Sequence, residues 1–198
     1  MPLSRRVFLA APLALAACQS EPARVAVKPT FYEDLAAPNA QVDQGRALSM
    51  INQYRARSGV GALALDPELG RIARAYATEM AAADRMSHSL SDEARLGNRL
   101  RANGYAFAAA GENIAAGYRT LAEAFSGWRE SPAHDRGMKD ADMTRMGIGT
   151  AYNPNSKYKV FWCLIFSRPP GDAVGVAGVP GVAGSPSVVT VAGAQIGN

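Results

Sequence analysis

Two histidines are all the chain has, and both lie among other side chains capable of chemistry. His88 sits in "RMSHSL", and His134 closes "GWRESPAH" behind Glu130 and Ser131, while Glu112 lies in "GENIAAG". Three chemistries suit these types. Two imidazoles and a carboxylate can ligate a divalent metal such as zinc, which activates a bound water; the ligands would be His88, His134 and Glu112. A carboxylate beside an imidazole can instead move a proton. Ser131 with His134 offers a nucleophile and its base, but "SPAH" puts both on one turn without an orienting acid, and no GxSxG elbow is present. None of these groups stands at HExxH spacing, so sequence distance alone does not bring them together. Each also has a plainer explanation. His88 could favour a helix C-terminus, Glu112 a strand-end turn, Glu130 a solvated helix face, and His134 the core.

The cysteines belong to a different chemistry. Residues 1–17, "MPLSRRVFLAAPLALAA", join a basic start at Arg5 and Arg6 to an apolar run too short to span a bilayer, which takes about 20 helical residues. Arg5-Arg6 fits a twin-arginine export address. "LAAC", ending at Cys18, is similar to a lipobox, in which the cysteine becomes the first mature residue and carries lipid. Acylation would tether the protein to the membrane rather than thread it through, since each buried CH₂ contributes about 0.8 kcal/mol. Gln19 follows where an inner-membrane lipoprotein often has Asp, so an outer-membrane destination is expected over an inner one. Cys163, alone in "VFWCLIF", reads as a small core residue, and no disulfide framework is possible in the mature chain. Without Arg5 and Arg6 the 21 basic side chains become 19, against 17 acidic ones, and they form no basic run. Nucleic acid is therefore not an expected partner.

Elements must then position the site. Residues 18–43 hold three prolines and no periodicity, which suggests a tether; residues 169–198, rich in Gly, Ala, Val and Pro, suggest a mobile tail in which "SVVTV" offers a short edge strand. Between them, residues 44–168 form one domain large enough for a single core. Ala47, Met50, Ile51 and Tyr54 mark a helix over 44–58, stopped at Gly59. Asp66, Pro67 and Glu68 open a second, with its stripe from Leu69 to Met80. A short helix is expected over 92–103. Another begins at the capping box Thr120 and Glu123 and stops near Glu130, before Pro132. Residues 146–152 and 158–166 flank the turn-rich "NPNSK" as a hairpin, and 105–117 can supply a further strand. Helices around a small antiparallel sheet make an α+β fold, or an α/β/α three-layer sandwich.

The ordered segments "INQYRARSGVGALALDPELGRIARAYATEMA", "MSHS", "GENIAAGY", "GWRESPAH", "RMGIGTAY" and "VFWCLIF" resemble the CAP superfamily of cysteine-rich secretory, antigen 5 and pathogenesis-related proteins, in its short bacterial branch. The resemblance implies an α/β/α sandwich whose cleft is lined by His88, Glu112 and His134. It departs from the animal and plant pattern after the helix Trp. Ser131 takes the place commonly held by an acid, and Glu130 lies one helical step, about 100°, earlier. Glu130 is thus the weakest member of the set, and Ser131 a minor one. The implied function is binding of an apolar small molecule, an envelope component or a protein partner. A metal-assisted hydrolase and a purely structural envelope protein are the alternatives, and the balance falls toward binding over catalysis. If Glu112 met His134 directly, the carboxylate would hold that imidazole cationic.

Overall fold

The structure is a computed structural model that describes residues 30–172, 188–191 and 195–196. The expected leader, Cys18 and the first part of the tether lie outside the described residues. In chain order the main elements are helix α1 (Gln44–Arg57), strand β1 (Ala64–Leu65), helices α2 (Pro67–Ala82) and α3 (Leu96–Ala102), strand β2 (Ala109–Ala116), helices α4 (Leu121–Glu130) and α5 (Pro132–Met138), and strands β3 (Arg145–Tyr152), β4 (Val160–Arg168), β5 (Val188–Val191) and β6 (Gln195–Ile196).

Local chemistry sets most of these boundaries. The Asp66 carboxylate accepts the amides of Glu68 and Leu69, and Pro67 takes the first helical position, where a missing N–H costs nothing. Thr120 and Glu123 form a reciprocal capping box at α4. Pro132 closes α4 and opens α5, so a second short helix follows at once. The expected helix over 92–103 begins only at Leu96. Asp92 is held in a turn instead: its carboxylate accepts from Arg95, and its carbonyl accepts from the Asn98 amide at 2.8 Å.

The sheet runs β1-β3-β4-β2-β5, with β6 also on β2. β3 and β4 form the antiparallel hairpin, and β4 pairs antiparallel with β2, Glu112 lying opposite Ile165. The outer pairings are parallel, β1 on β3 and β5 and β6 on β2. Two pieces of the expected mobile tail thus add to the β2 edge, one of them within "SVVTV".

Both faces of this sheet are covered, which makes the fold an α+β, α/β/α sandwich. In β4, Trp162, Leu164 and Phe166 enter the core shared with α1, α4 and α5, while Phe161, Cys163 and Ile165 enter the one shared with α2 and α3. This alternation explains why "VFWCLIF" reads as one apolar run. Each large side chain buried there contributes about 1.5–3 kcal/mol. Trp128 is core as well; its indole donates to the Ile114 carbonyl at 3.2 Å and meets Trp162 edge to face.

Gly147 and Gly149 let α2 lie directly on β3. A Cβ at Gly147 would sit 2.1 Å from the Gly70 nitrogen, and one at Gly149 would sit 2.3 Å from the Arg74 nitrogen. The domain also begins earlier than expected. Leu35 and Val42, assigned to the tether, are buried in the α1/α4 core, and the Leu35 amide donates to the Arg119 carbonyl at 2.8 Å. Phe31 packs beside them, and the Asp34–Arg119 ion pair holds the same stretch from outside.

Candidate functional site

Glu112 lies inside β2, on the face toward α2 and α3. Its carboxylate is fully buried. Oε1 lies 2.8 Å from His88 Nδ1. Oε2 accepts from Arg99 Nη2 and from the Cys163 thiol, whose sulfur is 3.4 Å away. Burial pushes the Glu112 pKa up, but the His88 hydrogen bond and the Arg99 charge outweigh it, leaving the group below the ordinary carboxylate range. An ionised carboxylate only accepts, so His88 Nδ1 carries the proton. Burial and the Glu112 charge hold the Cys163 thiol well above its usual value, so it stays a donor.

Arg99 is the partner that sequence reasoning missed. It lies on the inward side of α3 between Leu96 and Leu100, all three buried. Its guanidinium carbon stands 3.5 Å from the centroid of the Tyr76 ring, and Nε donates to the Ala94 carbonyl at 2.7 Å. Burial works against its charge, and Glu112 more than offsets this, so its pKa is raised. Tyr76 then donates its hydroxyl to the Ser87 carbonyl at 2.6 Å, fixing the loop that carries His88. Burial pushes the Tyr76 pKa up to about 12. The signal for Arg99 was its place on the apolar stripe of a short helix.

His134 is placed differently from expectation. It lies in α5, on the α1/α4 side of the sheet, is fully buried, and neither ring nitrogen has a hydrogen-bond partner. Its link to β2 runs through the backbone: the Asn113 side-chain amide donates to the His134 carbonyl at 3.0 Å. Burial, with a smaller contribution from His88, lowers its pKa from 6.5 to about 4, so it is neutral rather than cationic. The expected contact with Glu112 is made by His88 instead. Successive strand residues face opposite ways, so Asn113, not Glu112, meets α5.

Glu130, at the last position of α4, is exposed. The helical step that made it doubtful has turned it to solvent. Ser131 is half-buried at the junction of α4 and α5, with no capping hydrogen bond from its side chain. Among the described residues no three His, Cys, Asp or Glu side chains gather as metal ligands. The donor chemistry agrees, since the Glu112 carboxylate already faces a guanidinium that would repel a cation. Glu112 therefore does not fit the role of a metal ligand.

Beside His88 the surface opens into a groove of about 400 Å³, bounded by His88, Ser89 and the outer side of α3. That volume lies in the range of small-molecule sites. The buried cluster ties the His88 loop to α3, and both border this groove.

Residues 48–166 match the model of the Cysteine-rich secretory protein family, CAP. The chain belongs to this family. The His88, Glu112 and His134 segments all fall within the matched CAP region. Two Bacillus subtilis (strain 168) proteins are similar: YkwD, 26% identical over 104 residues, and the membrane protein YlbC, 27% identical over 124. These alignments take in 52% and 62% of this chain but only 40% and 36% of those relatives. An extracellular SCP-domain protein from Bacillus anthracis superposes with a TM-score of 0.56 at 26% identity, covering 63% of this chain and 40% of that one. An outer surface protein from Borrelia burgdorferi shares the fold with a TM-score of 0.58 at 19% identity, covering 65% and 97%.

Proposed function

We propose that this CAP domain is an exported, lipid-tethered binding module that takes a ligand of the cell envelope in the groove beside His88, rather than a hydrolase built on Glu112. The commitment of Glu112 carries this reading. Both of its oxygens are engaged by His88, Arg99 and Cys163, so it has neither a lone pair facing solvent for a base nor a vacancy for a metal. Ser131 and His134 share no hydrogen bond that would activate a nucleophile. Export is supported by the leader, by Cys18 in its lipobox-like setting, and by relatives described as extracellular, outer-surface or membrane proteins.

Ser89→Trp, which fills the groove from its loop side, tests the binding reading. A lipid or soluble extract of the bacterial envelope is expected to raise the melting temperature of the wild-type protein by a few degrees and to leave Ser89→Trp unmoved. If no extract shifts the wild type, or if both proteins shift alike, the groove is not the binding site. Zinc titration from pH 5 to 8 tests the hydrolase alternative. Saturable binding lost in both His88→Ala and His134→Ala would restore a metal site.

A further inference from the structure

The groove has a charge character of its own. Along α3 and the residue that precedes it, Arg95, Asn98 and Arg101 recur at every third position and are exposed, while Leu96, Arg99 and Leu100 turn inward. The three exposed side chains line the groove with His88 and Ser89, and Leu96 and Gly97 complete the wall. Every ionisable side chain of that wall is basic.

One nearby acid offsets part of this, at Arg95 and not at Arg101. Arg95 gives Nε and Nη2 to the same Asp92 oxygen at 3.0 and 2.9 Å, while Asp92 is itself not part of the wall, and Glu93 beside it is exposed. Arg101 has no carboxylate partner among the described residues. Its contacts are the Asn98 side-chain oxygen at 3.5 Å and the Phe107 ring, 5.4 Å from its guanidinium carbon. His88 Nε2 is buried without a partner. A planar guanidinium with unused N–H groups matches a carboxylate or phosphate in two-point geometry.

We infer that the groove receives the anionic end of its ligand, a carboxylate or phosphate held chiefly by Arg101, with Arg95, Asn98 and Ser89 donating beside it. This rests on the groove being the binding site. Because about 400 Å³ exceeds what a bare oxyanion fills, the anion is one end of a larger molecule. Its source is either a free small molecule or the headgroup of an anionic lipid.

The test uses full-length ¹⁵N-labelled protein in mild non-ionic detergent, titrated with inorganic phosphate and with acetate. Saturable shifts of the Ser89, Gly97 and Asn98 amides are expected. Arg101→Gln should weaken them by about tenfold or more, as loss of a charged hydrogen bond predicts, and Arg95→Gln with Arg101→Gln should abolish them. Both positions are exposed, so an unchanged unfolding midpoint verifies that the variants fold. Sedimentation of the Cys18→Ser protein with phosphatidylglycerol or phosphatidylcholine vesicles separates the sources. A phosphatidylglycerol preference lost in Arg101→Gln assigns a headgroup, and phosphate shifts without that preference assign a free anion. Absence of saturable shifts, or equal affinity in Arg101→Gln, overturns the inference. An envelope extract that still shifts Ser89 while phosphate and acetate do not would remove the anion and leave the groove standing.

Discussion

Glu112 and Arg99 depend on each other, because both charges are buried. Removing the carboxylate alone strands a guanidinium in the core. Glu112→Ala is therefore expected to cost about 3–5 kcal/mol in urea denaturation. Glu112→Leu combined with Arg99→Met should recover most of that loss, since a well-packed apolar pair replaces a buried ion pair at little cost. His134 sets the response to acid. Its folded-state pKa of about 4 lies below the ordinary 6.5, so the unfolded chain takes up the proton first. Its contribution to stability is complete above pH 6.5 and is lost as the pH falls toward 4. Glu112, also lowered, adds a loss that begins below its ordinary value of 4.5. Midpoints measured from pH 7.5 to 4 should decline, and His134→Gln should flatten the upper part of that decline. An unchanged profile in His134→Gln would show that the imidazole is solvated or paired in solution.

At the level of elements, caps and stripes were legible because they act within one or two turns. Asp66-Pro67, Thr120 with Glu123, and the Pro132 break all stand where their chemistry placed them. The site was less legible, because its geometry depends on which face of β2 each residue takes. A strand expected somewhere over 105–117 does not say which face each residue takes, and so leaves Glu112 free to meet His134. A continuous strand over Ala109–Ala116 sends Glu112 to one layer and Asn113 to the other. Arg99 was hidden for a related reason, since a basic residue on a short helix is ordinarily solvated and only the inward stripe of Leu96 and Leu100 hinted otherwise. The glycines of β3 carry a sharper prediction. Gly149→Ala must push α2 off the sheet, because its Cβ meets backbone rather than a side-chain end that can swing away. Overpacking of this kind is expected to cost about 1–3 kcal/mol or more, read as a lower urea midpoint. A midpoint within error of wild type would mean that α2 can slide on β3.

Across the whole molecule, the expected tether and domain overlap: Leu35 and Val42 are packed, so less chain separates the fold from Cys18 than the composition suggested. If Cys18 is the anchor, Cys18→Ser should move the protein from the membrane fraction to the soluble one while its melting temperature stays the same. Retention in the membrane would point to a different attachment. The parallel addition of β5 and β6 also covers the β2 edge, whose amides would otherwise be open to another chain. The absence of side chains at Gly147 and Gly149 reaches further than packing. It leaves no slack between α2 and β3, so Tyr76, and through it the His88 loop, is fixed before any ligand arrives. The opposite jaw, α3, is only seven residues long. A ligand of the groove would then meet two preformed walls, since α3 is itself pinned through Arg99 to Glu112, and little chain would reorganise on binding. Amides of α2 should exchange with deuterium far more slowly than those of α3, and ligand should slow only the latter.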